Sequence, residues 1–382
     1  MMTIMHPQTS RVWATSAVFL IALPCFLAAQ EYRIAFLSNR KNATGIHVMH
    51  ADGSGVKQLT DDKLALLSDG AWSPDGQQLI FNALRQHGLR LGVQGPEWND
   101  DGDEKLISKY PLPFHFPLYV MNADGSGQKR LLDVPVVPGA RWSPDGKRIL
   151  FTSSYEDPHR NDPGVRKGTQ SVPSALYVLD LATGRYKRIT SVGRTDLNVF
   201  ASWSPDGARV LFTCGRRPRE VCVVDADGAH EEQLTARGGT AVSTTFSPDG
   251  HRIAFVAAPQ VLSDIGSGAY VMDANGAHAR RISKLLVTSV SWSPDGRNVL
   301  IRAASGGTYV VNVEANTGVK LPLGSGRVLD EVFSPDGRVI LYRSNEEGVD
   351  KIYAIDVDGT HRRKLSDDAG VDSLFSVSPL LR

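Results

Sequence analysis

The chain has 382 residues, and its 42 Lys and Arg against 41 Asp and Glu leave a net charge of +1, which gives nucleic acid or an anionic membrane surface no global field to follow. With 36 Gly and 21 Pro and no long amphipathic helical period, the composition excludes a helical bundle. It points to an all-β, turn-rich chain long enough to bury a core.

The first segment is separate in character. Arg11 precedes an apolar stretch from Trp13 to Leu27, and Ala28 and Ala29 follow as small residues, the layout of a cleaved secretory signal peptide. The expected division is therefore residues 1–29 as signal peptide and 30–382 as one domain. Pro24, Thr15 and Ser16 leave too short an apolar run to span a bilayer, so the chain is not expected to be an integral membrane protein. Cys25 follows Pro24 rather than the small residue a lipidation signal requires.

From Glu31 the pattern is strand, loop, strand, turn, strand. Arg33 to Phe36 leads to Ile46 to Met49, then the turn Ala51-Asp52-Gly53, then Lys57 to Thr60. Six copies of Trp/Phe-Ser-Pro-Asp-Gly follow, beginning at Trp72, Trp142, Trp203, Phe246, Trp292 and Phe333, each with an apolar run just beyond its Gly. Pro presets the second position of a type I turn, Asp suits the third and Gly supplies the positive φ that re-enters an antiparallel strand. The aromatic before the turn ends its strand with a large apolar anchor.

Each unit is a four-stranded antiparallel meander a, b, c, d. Later copies recur every 41 to 46 residues, the period of a propeller blade. The first two intervals are longer because of insertions between strands b and c, Arg85 to Pro117 and Ser154 to Ser174. Strand b occurs seven times, marked by Ile34, Leu79, Ile149, Val210, Ile253, Val299 and Val339, but strand a has only six full copies. Asp372 to Ser376 resembles a strand a with a degenerate turn after it. If it completes the blade that starts at Arg33, the free edge disappears and the fold is an all-β, seven-bladed β-propeller of four-stranded antiparallel blades. Six blades is the alternative.

Long loops on a rigid scaffold are where recognition resides. The insertions carry Trp98, Tyr110, His115, Tyr155, His159 and Arg160, types suited to anchoring a partner. Asp100, Asp101 and Asp103 form an acidic loop able to attract a cation, with plain solvation as the other reading. Arg216, Arg217 and Arg219, on the b to c loop after Cys214, are suited to clamping an anion or simply to keeping the surface soluble. Cys214 and Cys222 flank that loop, and both a cross-strand disulfide and a pair of buried thiols fit the spacing. His230, His251, His278 and His361 fall in or beside short turns of different blades. His47 and His50 alternate across one strand, so no convergent metal set forms and no metal or cofactor is expected. Asp-x-Asp-Gly, as at Asp225 to Gly228 and Asp356 to Gly359, opens like a calcium loop but lacks the distal Glu.

The Trp/Phe-Ser-Pro-Asp-Gly turn, the Ile-Ala-Phe strand, the Tyr-Val-Met-Asp strand ending in Asp-Ala-Asp-Gly and the closing Arg-x-Leu/Ile-Thr resemble the WD-like propeller repeats of the TolB family, over essentially everything beyond the signal segment. That resemblance implies a periplasmic or secreted location and an envelope protein as partner. The α/β domain that precedes the propeller in that family has no room between Ala29 and Arg33, so partner binding is not carried over residue by residue. Oligogalacturonate lyases are similar in length and repeat and imply an enzyme with its site at the channel mouth. Prolyl-oligopeptidase-like enzymes need a Gly-x-Ser-x-Gly elbow and a further large βα region, which this sequence lacks. The expected role is a protein-binding or scaffold module rather than an enzyme.

Overall fold

The computed structural model describes residues 31–40, 44–60, 64–85, 116–132, 134, 136–154, 174–191, 201–215, 219–235, 240–258, 267–367 and 370–381. Every regular element among them is a strand or an isolated bridge, apart from a single 3-10 position at Arg40. The strands form seven separate four-stranded sheets.

Blade 1 is split. Arg33–Ser38, Gly45–His50 and Lys57–Gln58 are its b, c and d strands, and Asp372–Val377 pairs antiparallel with Arg33–Ser38 as its strand a. Blades 2 to 7 begin on Leu64–Trp72, Val137–Trp142, Ser202–Trp203, Thr240–Phe246, Val287–Trp292 and Val328–Phe333. The seven-blade expectation holds and the six-blade alternative falls, because the terminal strand pairs where the count of b strands required it.

Strand a is innermost: a strands of neighbouring blades adjoin one another, whereas d strands are short and often fully exposed. The b strands are apolar on both sides because each sheet is sandwiched between two others. In Arg148–Ser153, Ile149 and Phe151 pack with Ile80, Leu118 and Val120 of blade 2, while Leu150, between them, packs with Trp203 and Phe212 of blade 4. Seven such clusters, one at each junction including blade 7 with blade 1, close the ring.

The aromatic anchors do more than fill space. Trp142 Nε1 donates to the Ala71 carbonyl of the preceding blade at 3.0 Å, and Trp203 and Trp292 reach Arg141 and Thr245 in the same way. An arginine of the preceding blade covers the ring from outside. Arg148 lies 4.9 Å from the Trp203 centroid and donates to the Gly207 carbonyl, and Arg252 repeats this on Trp292 and Gly296.

Each Ser-Pro-Asp-Gly turn is self-contained. Ser143 Oγ donates to the Asp145 carboxylate and accepts from the Arg148 N–H at 2.9 Å, while the Lys147 N–H donates to Asp145 at 3.0 Å. The serine hydroxyl holds the carboxyls of Asp75, Asp145, Asp206 and Asp249 below the usual carboxylate range. The turns also stack around the ring. Pro144 Cδ would lie 3.5 Å from a Cβ on Gly207, whose φ of 68° already favours glycine. The terminal blade keeps half of the motif: Ser378 Oγ accepts from the Arg33 N–H at 2.8 Å, and Pro379 lies against Gly76. What reads as a degenerate turn in sequence is the same serine turn divided between the two ends of the chain.

Candidate functional site

The meander gives the ring two unlike faces. One carries the a to b and c to d turns, all short. The other carries the b to c and d to a connections, among them the two that leave from Arg85 and Ser154 and return at Leu118 and Ala175. The first face is occupied with its own hydrogen bonds. In the c to d turns, Asp52, Asp124, Asp227 and Asp358 each accept a backbone N–H two residues on. His230, His278 and His361 sit at positive φ and pair through Nδ1 with Asp225, Asp273 and Asp356 at 2.7, 2.6 and 2.9 Å. The calcium-like Asp-x-Asp-Gly is thereby spent on hairpin geometry and on histidine. His47 is buried and His50 exposed, as their alternation along one strand requires.

On the second face the charged groups of blades 6, 7 and 1 come together. In the inner strand of blade 7 the register breaks between Leu329 and Val332, and Asp330 takes a φ of 57°, so two consecutive carboxylates bulge from the ladder. Glu331, its side chain 4% exposed, accepts from Arg302 Nη1 at 3.0 Å and Thr308 Oγ1 at 2.7 Å. Asp330 pairs with Arg343 Nε at 2.6 Å, and Arg343 also reaches Asp350 Oδ2 at 3.0 Å and Ser373 Oγ at 3.2 Å. Burial raises the Asp330 carboxyl above its ordinary value, with the Arg343 charge opposing.

Beyond them lies a buried clamp. Lys351 donates to the Asp367 carbonyl at 2.7 Å and to that of Gly370, and its Nζ stands 3.8 Å from Asp372 Oδ2. Arg40 bridges Asp372 and Asp367 at 3.3 and 3.0 Å. A cavity of about 430 Å³ opens between blades 6 and 7 and continues into one of about 100 Å³, both lined by Arg302, Thr308 and Glu331. Such a rim can recognise ionic and hydrogen-bonding groups by position. Among the described residues no three His, Cys, Asp or Glu converge on a metal-sized site.

Of the residues singled out in the sequence, Trp98, Asp100, Asp101, Asp103, Tyr110, His115, Tyr155, His159, Arg160, Arg216 and Arg217 lie outside the described residues. Arg219 is described and partly buried, and its carbonyl accepts the Ala241 N–H at 2.8 Å, tying the blade 4 loop to blade 5. At the base of that loop Cys214 and Cys222 are bonded as a disulfide, with Cα atoms 5.8 Å apart, which resolves the two readings of the pair. Sequence reasoning missed the Arg302, Arg343, Asp330 and Glu331 group. A signal was present: Arg302 and Arg343 occupy the strand position held by Thr152 and Thr213 in blades 3 and 4.

The profile of the TolB beta propeller domain matches residues 169–381, more than half of the chain. A TolB homolog of Chlorobium luteolum is 28% identical over 131 residues, which are 33% of this chain and 26% of that protein, so the chain spans about a quarter of that relative. Among solved structures, TolB from Acinetobacter baumannii superposes with a TM-score of 0.51 at 18% identity, covering 92% of this chain and 83% of that one. An oligogalacturonate lyase from Vibrio parahaemolyticus superposes with a TM-score of 0.61 at 16% identity, covering 85% and 86%. At such identities the two structures share the fold alone. The seven blades, the repeated serine turn and the extent of the profile match together make this chain a member of the TolB beta propeller domain family.

Proposed function

We propose that this chain is a secreted or periplasmic protein-binding or scaffold module of the cell envelope, residues 30–382 forming the propeller once residues 1–29 are removed as a leader. The observation that carries the reading is the inequality of the two faces. One carries short turns that hydrogen-bond within themselves; the other bears both long connections, on consecutive blades, together with the charged rim of blades 6, 7 and 1. The Cys214–Cys222 disulfide suits an oxidising compartment. Among the described residues no helix is long and apolar enough to cross a membrane.

The test is capture of a partner from an envelope extract by immobilised mature protein. Trp98→Ala or Tyr155→Ala is expected to lower capture about tenfold, a typical loss for an interface anchor, with little effect on melting temperature. Lys147→Ala, exposed on the turn face, is expected to leave capture unchanged. Crosslinks from the partner to the Ser-Pro-Asp-Gly turns would reverse the assignment of faces, and turnover of an acidic polysaccharide by the purified protein would favour the enzymatic alternative.

A further inference from the structure

We infer that the cleft between blades 6 and 7 is a binding site for an extended peptide segment carrying an acidic side chain beside an apolar one. This rests on the protein-binding reading above and names the chemistry of what is bound. The cleft is bounded on one side by the b to c hairpin of blade 6, Ala304 to Gly307, and on the other by the d to a loop from Leu323 to Arg327. Three observations set the occupant.

The first is charge. Lys320 and Arg327 line the cavity, are exposed, and have side chains with no partner among the described residues, whereas Glu331 deeper in is already neutralised by Arg302 and Thr308. The mouth therefore carries two uncompensated positive charges, and an arginine beside a lysine suits a carboxylate. The second is backbone. On the lip formed by the blade 6 hairpin, Gly306 has open space where a Cβ would stand, so main chain is uncovered there and an extended chain is able to approach closely. On the other lip a Cβ on Gly324 or Gly326 would collide with Glu346, so these glycines are fixed by packing.

The third is apolar surface. Leu286 is 52% exposed, and its carbonyl accepts the Ala304 N–H at 2.7 Å, so a large uncovered side chain is held next to the cleft mouth. Leu321, Leu323, Val328 and Leu329 form the apolar part of the cleft lining. An acidic group alone would use the cations and leave the leucine uncovered, whereas an alternating acidic and apolar strand uses both.

The assay is fluorescence anisotropy of the mature protein with a labelled peptide of alternating Asp and Leu, its Asn-for-Asp analogue, and inorganic phosphate as competitor. The Asp peptide is expected to bind at least tenfold more tightly than the Asn analogue, and to weaken with added salt. Lys320→Ala combined with Arg327→Ala is expected to weaken it about tenfold, Leu286→Ser several-fold, and Arg338→Ala on the opposite face not at all. Equal binding of the two peptides, or full displacement by millimolar phosphate with no dependence on Leu286, overturns the proposal. Should the double variant fold poorly by circular dichroism, Arg327→Gln alone reports on the same charge. Because the probe is defined and the substituted residues are not those of the insertions, failure of this assay and failure of the envelope-capture experiment are distinguishable.

Discussion

His47 illustrates how one residue couples the fold to pH. Its ring is buried against Phe36, with centroids 5.5 Å apart, and Nδ1 lies 3.1 Å from the Gly45 carbonyl. Burial holds its pKa below the ordinary 6.5, so the folded protein keeps it neutral at a pH where the unfolded chain already takes up a proton. Stability attributable to His47 is therefore complete above about pH 6.5 and is lost as pH falls from there towards the lowered folded value. Asp225 raises the pKa of His230, so that exposed residue contributes in the opposite sense, below its unfolded value, and loses its contribution as pH rises. Urea unfolding at several pH values between 5 and 8 separates the two: His47→Gln is expected to flatten the acid-side fall, and an unchanged slope would show that burial does not control this residue.

At the scale of the strand and its turn, the blade 4 hairpin is the element with a covalent constraint. Cys222 opposes Phe212 and Cys214 opposes Glu220, so the bonded cysteines are diagonal neighbours on one side of the sheet. Closing so short a loop in the unfolded chain is expected to contribute about 2 to 3 kcal/mol, and replacing both cysteines by Ala should lower the denaturation midpoint accordingly. An identical midpoint with and without reductant would show that the bridge does not form in solution. The elements themselves were legible in the sequence because their causes are local: Pro-Asp-Gly dictates a turn, and a strand between two sheets must be apolar on both sides. Ser378 and Pro379 were harder to recognise, since their Asp and Gly are absent and the strand they should lead into, Arg33–Ser38, lies at the other end of the chain. The charged rim was illegible for a related reason. Arg302 and Glu331 are 29 positions apart on different blades, and only the curvature of the ring brings them to 3.0 Å.

For the whole molecule, closure of the ring is the decisive event. Asp372 and Lys351 are 0% and 1% exposed, and with Arg40 they fasten the last strand to blades 7 and 1 through charges that are costly to bury unpaired. Removal of residues 373–382 strips strand a from blade 1 and leaves Arg33–Ser38 as a bare inner edge beside a half-open apolar junction. Soluble yield and cooperative melting are expected to collapse; a truncated chain melting at the parent temperature would show that the terminal strand is dispensable. This clasp also sets chain order against assembly. Arg33–Ser38 is the first propeller strand in chain order, yet its neighbour Asp372–Val377 comes after all the others. Until the two meet, Arg33–Ser38 is an unpaired β edge, open to any other extended segment. The six uninterrupted blades are free to form from contiguous sequence, but the ring commits only when the split blade joins, so a chain shortened before Asp372 is left without its native circle.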